Sequence, residues 1–252
     1  MWARCAVVCL VGCDFTLPDS AATGSDGAIV HIDAPRDSAF DAAPDGPPIT
    51  IQFVQGDGVV TGDTNEIDLD YPQDQVAGDF DLITVNWANT GVSIGSITDD
   101  AGNAYTLVTP MVVQSGETLA LYYATNIRGG ANKVMATFNG GKGGNPELKI
   151  AEYSGVNNAQ PIDVVAANSS SGGTTADSGP LTTTHWHDVL IAAVTTESSV
   201  SGHDAAYDPD VQVAGDLLER REVTALGTYH ATAPLNGAQY WLAELVAFRA
   251  AQ

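Results

Sequence analysis

Residues 119–124 read Leu119-Ala120-Leu121-Tyr122-Tyr123-Ala124, and residues 133–138 read Lys133-Val134-Met135-Ala136-Thr137-Phe138. Between them stands Arg128-Gly129-Gly130-Ala131-Asn132. Both runs have strand length and are rich in aliphatic and aromatic residues, while glycine and asparagine in the connection tolerate turn dihedrals. A helix would repeat its apolar residues every third or fourth position, and neither run does. The same texture extends in both directions. Strands are expected at 50–54, 66–71, 81–87, 93–98, 105–109, 118–125, 133–138, 147–153, 187–195, 222–232 and 240–248. Asp99-Asp100-Ala101-Gly102-Asn103 reads as a tight turn between two of them. So many short strands with almost no helical periodicity predict an all-β fold, a two-sheet antiparallel β-sandwich of jelly-roll-like form over 49–252.

Upstream of residue 49 the composition changes. Residues 14–48 repeat Asp, Ala, Pro, Ser and Gly, as in Asp41-Ala42-Ala43-Pro44-Asp45-Gly46-Pro47-Pro48, a composition that resists core formation and predicts a disordered tether. The three cysteines, Cys5, Cys9 and Cys13, all precede it, so no disulfide is expected in the domain. Their spacing of four would suit a ligand face on a helix, but Ala6, Val7, Val8, Leu10 and Val11 follow Arg4 as the apolar core of a signal segment does. That run is about half the ~20 residues a membrane-spanning helix needs. Leu10-Val11-Gly12-Cys13 resembles the lipobox of bacterial lipoproteins, and the tether resembles those that follow the lipidated cysteine in many myxobacterial lipoproteins. The resemblance implies cleavage before Cys13, an acyl anchor on it, and placement in the cell envelope, at the outer membrane or cell surface. Two or more acyl chains hold a protein stably on a bilayer.

With 31 Asp plus Glu against 9 Lys plus Arg, the formal charge is −22. Such a surface repels phosphate backbones, which argues against nucleic acid and leaves cations, polysaccharides and envelope proteins as partners.

A second resemblance spans the domain. It is carried by Thr98-Asp99 through Gly102-Asn103-Ala104-Tyr105, Leu121-Tyr122-Tyr123-Ala124-Thr125-Asn126-Ile127 with Gly129-Gly130, Ile150-Ala151-Glu152-Tyr153-Ser154-Gly155-Val156, Pro161-Ile162-Asp163-Val164, Gly227-Thr228-Tyr229 and Leu245-Val246-Ala247-Phe248-Arg249. These strings resemble a β-sandwich module that recurs in secreted and surface proteins of soil and environmental bacteria. The resemblance implies fold and setting, and no activity.

Several constellations carry chemistry. Gly91-Val92-Ser93-Ile94-Gly95 matches the nucleophile elbow in letters, but Ser96-Ile97-Thr98 and a turn follow it where the elbow requires a helix. Glu66, Asp68 and Asp70 alternate along one strand and would share a face, with Ile67 and Leu69 inward, an arrangement suited to Ca²⁺ or simply to solvent. His185 and His187, two apart at a strand entrance, would face one metal ion with Asp188 beside them. Tyr122, Tyr123 and Trp186 are candidates for stacking on sugar rings, with the two tyrosines on opposite faces of their strand. Glu152 and Glu244 lie inside apolar strands; they are either paired with Arg220, Arg221 or Lys149, or are the two carboxyls of a glycosidase. The expectation is a non-catalytic surface module that binds carbohydrate or matrix; an extracytoplasmic hydrolase and a structural envelope component are the alternatives.

Overall fold

The computed structural model describes residues 49–252, so Cys13, the expected signal segment 1–13 and the expected tether 14–48 lie outside the described residues. Every named element is a strand, as an all-β fold requires. The first half of the domain holds β1 (Gln52–Val60), β2 (Glu66–Asp70), β3 (Phe80–Ala88), β4 (Ser93–Asp99), β5 (Thr106–Leu107), β6 (Val112–Gln114), β7 (Glu117–Thr125), β8 (Lys133–Asn139) and β9 (Gly144–Ser154). The second holds β10 (Ile162–Ser170), β11 (Thr175–Asp177), β12 (Leu181–Thr182), β13 (Asp188–Thr196), β14 (Asp208–Val213), β15 (Asp216–Val223), β16 (Thr228–Tyr229), β17 (Thr232–Pro234) and β18 (Trp241–Arg249).

Two large antiparallel sheets result. One runs β1-β9-β3-β7-β5, with β6 also on β7; the other runs β10-β18-β13-β15-β14. Their inner faces meet in one core, where Phe80, Leu82, Leu119, Leu121 and Tyr153 pack with Val189, Ile191, Leu218, Leu242, Val246 and Phe248. The outer faces are covered too. Alternation sends Ile83, Val85 and Trp87 of β3 away from that core and under a third sheet, β2-β8-β4. Leu190 and Val194 of β13 likewise lie under the short pairs β11-β17 and β12-β16. The expected pair of sheets is therefore flanked by further layers, and each large sheet takes its strands from one half of the chain, whereas jelly-roll winding interleaves strands between sheets.

The two halves repeat one plan. The pairings β1-β9, β9-β3, β3-β7 and β7-β6 recur as β10-β18, β18-β13, β13-β15 and β15-β14. Register matches as well: Val85 faces Leu148 and Ala120, and Ala192 faces Leu245 and Glu219. The hairpins β6-β7 and β14-β15 close with the same left-handed turns, Ser115-Gly116 (φ 53 and 90°) and Ala214-Gly215 (φ 49 and 101°). Positive φ at both central residues is the type I′ signature. At Gly215 a Cβ would also meet Ser199 Cβ at 2.6 Å, so only glycine fits. Ala214 holds a conformation that asparagine adopts with less strain, so Ala214→Asn should raise stability by ~0.5–1 kcal/mol, read from the urea midpoint.

Most expected strands fall on observed ones, with two departures. The 222–232 expectation is corrected: the strand is β15, ending at Val223, followed by the short β16 and β17. Four consecutive charged residues, Glu219-Arg220-Arg221-Glu222, hid it. The edge strands β10 and β14 and the short β6, β11 and β12 lie outside every expected range.

Candidate functional site

Residues 183–187 form a bend between β12 and β13, and several sequence-read candidates gather there. Because the chain bends, strand alternation does not govern it, and the two histidines diverge. His185 Nδ1 lies 2.8 Å from Asp163 Oδ1 on β10, while His187 Nε2 lies 2.7 Å from Glu222 Oε1 on β15. Asp163 sits at the β10 bulge between Ile162 and Val164. Its Oδ2 accepts the Thr184 N–H at 2.6 Å and the His185 N–H at 3.3 Å, the Thr184 hydroxyl donates to Oδ1, and Arg249 Nη2 is 3.6 Å away. Burial alone would raise this carboxyl; the bonds from Thr184 and His185 outweigh it and hold Asp163 below the usual carboxylate range. Glu222 Oε1 also accepts the Ile51 N–H at 3.2 Å. Trp186, half-buried, leans on the His187 ring with centroids 5.1 Å apart. Beneath the bend lies Asp188, pushed up to about 8 by burial and by the neighbouring Asp163 charge. Neither Asp188 oxygen has a hydrogen-bond partner, so burial beside a like charge favours its neutral form.

The other candidates separate. Ile67 is buried and Glu66, Asp68 and Asp70 are exposed, as alternation requires, but Lys133 on β8 lies 3.1 Å from Asp68 and 3.5 Å from Asp70 and supplies a positive charge to both. Among the described residues no group of three or more His, Cys, Asp and Glu side chains is placed to hold a metal ion. Tyr122 and Tyr123 do take opposite faces; Tyr122 packs toward the β2-β8-β4 layer, whereas Tyr123 stacks on Phe80 at 5.8 Å in the inner core. The ring contact shown for Trp186 is with His187 and with neither tyrosine. Ser93 opens β4 and no helix follows it. Glu152 and Glu244 sit in different sheets and point into different layers. The expected cationic partners are corrected: Glu152 binds Gln55 Nε2 at 2.6 Å and the Val76 N–H at 2.7 Å, Lys149 pairs with Glu147, and Arg220 pairs with Asp210.

Asp99, Asn103 and Tyr105 converge with Asn132 and Asp81 on one half-buried network. Asp99 accepts bonds from Asn103 N–H at 2.8 Å, Asn103 Nδ2 at 2.7 Å, Asn132 Nδ2 at 2.8 Å and the Tyr105 hydroxyl at 2.9 Å. The same hydroxyl is 3.1 Å from Asp81 Oδ2. Burial pushes Asp81 up to about 7 although the Tyr105 hydroxyl and, at 2.6 Å, Gln75 Nε2 bond to it. A hydroxyl has one hydrogen, so Tyr105 donates to one of the two carboxylates at a time, and the shorter contact is to Asp99. This network holds the β4–β5 turn against β3 and β8. Sequence reading treated Asp81, Asp99 and Glu222 only as strand or turn residues, although Asp81 inside an apolar run was a signal that a buried partner must exist.

In comparisons with known proteins, no family model, curated protein or solved structure matches the chain.

Proposed function

We propose that this chain is a non-catalytic envelope module, anchored through acylated Cys13 and carried on the 14–48 tether, that binds neutral polysaccharide at the 184–187 bend. The observation that carries the reading is Trp186. Its half-buried ring is steadied by His187, with the Thr184 hydroxyl and the His185 imidazole as neighbouring hydrogen-bonding groups. An aromatic face bordered by fixed polar groups suits the mixed apolar and hydroxyl surface of a pyranose. The Asp163 and Asp188 pair would favour a hydrolase, yet the Asp163 side chain is 0 % exposed and Asp188 is 0 % exposed, so both lie sealed under the bend.

Trp186→Ala should weaken polysaccharide binding by at least about tenfold and leave the thermal midpoint within ~2 °C, since a partly exposed ring contributes little to the core. A glycan array with the full chain, with and without chelation of Ca²⁺, followed by affinity electrophoresis of the variant, reads this. Unchanged affinity in Trp186→Ala would remove the bend as the site. Failure to bind under either condition would leave the structural-component reading. Intact mass of protein from a native-like host tests the anchor, which requires a chain starting at acylated Cys13.

A further inference from the structure

The faces where the two halves meet are not wholly apolar. Glu117 and Asp216 hold matching positions directly after the two left-handed turns, at the starts of β7 and β15. Glu147 and Glu244 match as well, since each precedes the leucine that faces Val85 or Ala192. All four are buried, and all four lie on inner faces. Asn86 Nδ2 of β3 stands between the halves, 3.5 Å from Glu117 Oε1 and 3.4 Å from Asp216 Oδ2. Asp216 Oδ1 also accepts the Thr196 N–H at 3.0 Å.

The charges facing this cluster come from every element around it. β9 gives Glu147 and Lys149, which pair with each other; β7 gives Glu117; β15 gives Asp216; β18 gives Glu244. Tyr240 and Glu197 border the open end. β3 contributes Thr84 and Asn86, β13 contributes Thr195, and β6 and β10 contribute Gln114 and Ser169, all uncharged. Glu117, Glu147 and Asp216 therefore face one ammonium, and Glu244 stands apart from it on β18. Burial alone acts on Glu244: it lies on the same face as Leu242 and Val246, is 0 % accessible, and both its carboxyl oxygens lack a hydrogen-bond partner. An ionised carboxylate there would be a buried charge with nothing to compensate it, which a protein avoids by keeping the group neutral.

We infer that the joint between the two halves is proton-gated: it is tight while Glu117, Asp216 and Glu244 carry protons and loosens as they ionise. Burial pushes Glu117 and Asp216 up to about 7 and Glu244 up to about 8, in the direction the geometry demands. Folded values raised above unfolded ones give stability that is complete below the unfolded value of about 4 and declines progressively until pH passes the folded values, near 8.

Urea unfolding of the full chain at pH 5.5 and 8.5 tests this, with amide exchange, corrected for intrinsic rate, followed in β3, β13 and β18. In wild type the folding equilibrium constant should fall at least about a hundredfold between the two pH values, with exchange in those strands rising in step. Glu244→Gln, which keeps the shape and cannot ionise, should already lead wild type at pH 5.5, where the unfolded glutamate is ionised, and its lead should grow at least about tenfold further by pH 8.5. Glu117→Gln, at the turn end of the cluster, should act in the same direction and serves if Glu244→Gln fails to fold. A wild type equally stable at both pH values, or glutamine variants that lose as much as wild type on alkalinisation, would overturn the inference.

Discussion

Phe80→Ala is expected to lose about 3–5 kcal/mol, the largest effect of any single truncation proposed for this domain. Phe80 is 1 % exposed and lies where the halves meet. It stacks on Tyr123 at 5.8 Å and meets Phe248, from the other half, edge-on at 4.9 Å. Removing the ring leaves a cavity walled by residues of both sheets, and paired strands on either side hold that cavity open. At roughly 2–4 °C per kcal/mol for a domain of this size, the thermal midpoint should fall by about 6–20 °C. Calorimetry measures it, and a fall below ~2 °C would mean that the two inner faces do not form one cooperative core.

Asp99→Ala should cost about 2–4 kcal/mol, because four donors lose their acceptor at once and Asn132 and Tyr105 are left facing an apolar methyl group. Asp99→Asn should recover only part of that. Its amide nitrogen replaces one acceptor oxygen and turns a donor toward donors. Asp99 also has a pH signature opposite in sign to the buried cluster between the halves. Burial works to raise its carboxyl, the bonds from Asn132, Asn103 and Tyr105 prevail, and it is held below the usual carboxylate range. Its contribution is present above the unfolded value of about 4 and lost as pH falls through the folded value, so the penalty of Asp99→Ala should shrink in strong acid. Urea midpoints at pH 7 and pH 3 read both effects.

What the sequence disclosed follows from how each strand is buried. β7, β8 and β13 announced themselves because continuous or alternating apolar runs are what a doubly covered or half-covered strand needs. β10 did not, since as an edge strand its residues are mostly half-buried and its later positions are small and polar. β15 carries buried Glu219, pushed up to about 8 by its burial, inside a string of charges that reads as surface. The repeated plan is hard to read in the sequence because many matching positions hold unlike residues, Ala120 and Glu219, Asn86 and Ala193, Glu152 and Arg249, and the shared Glu-Leu at 147–148 and 244–245 is too short to stand out. Pairing order and two turns preserve it. At the candidate site, Trp186 and the histidines were visible by type, but their partners Asp163 and Glu222 come from distant strands, and a bend cancelled the alternation from which a shared metal was expected.

Because all strands of the first large sheet precede β10 in the chain, residues 49–156 leave the ribosome as a self-contained unit while the second half is still being made. At ~5–20 residues per second, Phe80, Leu82, Leu119, Leu121 and Tyr153 then face water for on the order of 5–20 seconds. A nascent chain paused in that interval carries a broad apolar face with no cover of its own, which makes it a natural client for a holding chaperone and its timing a determinant of yield.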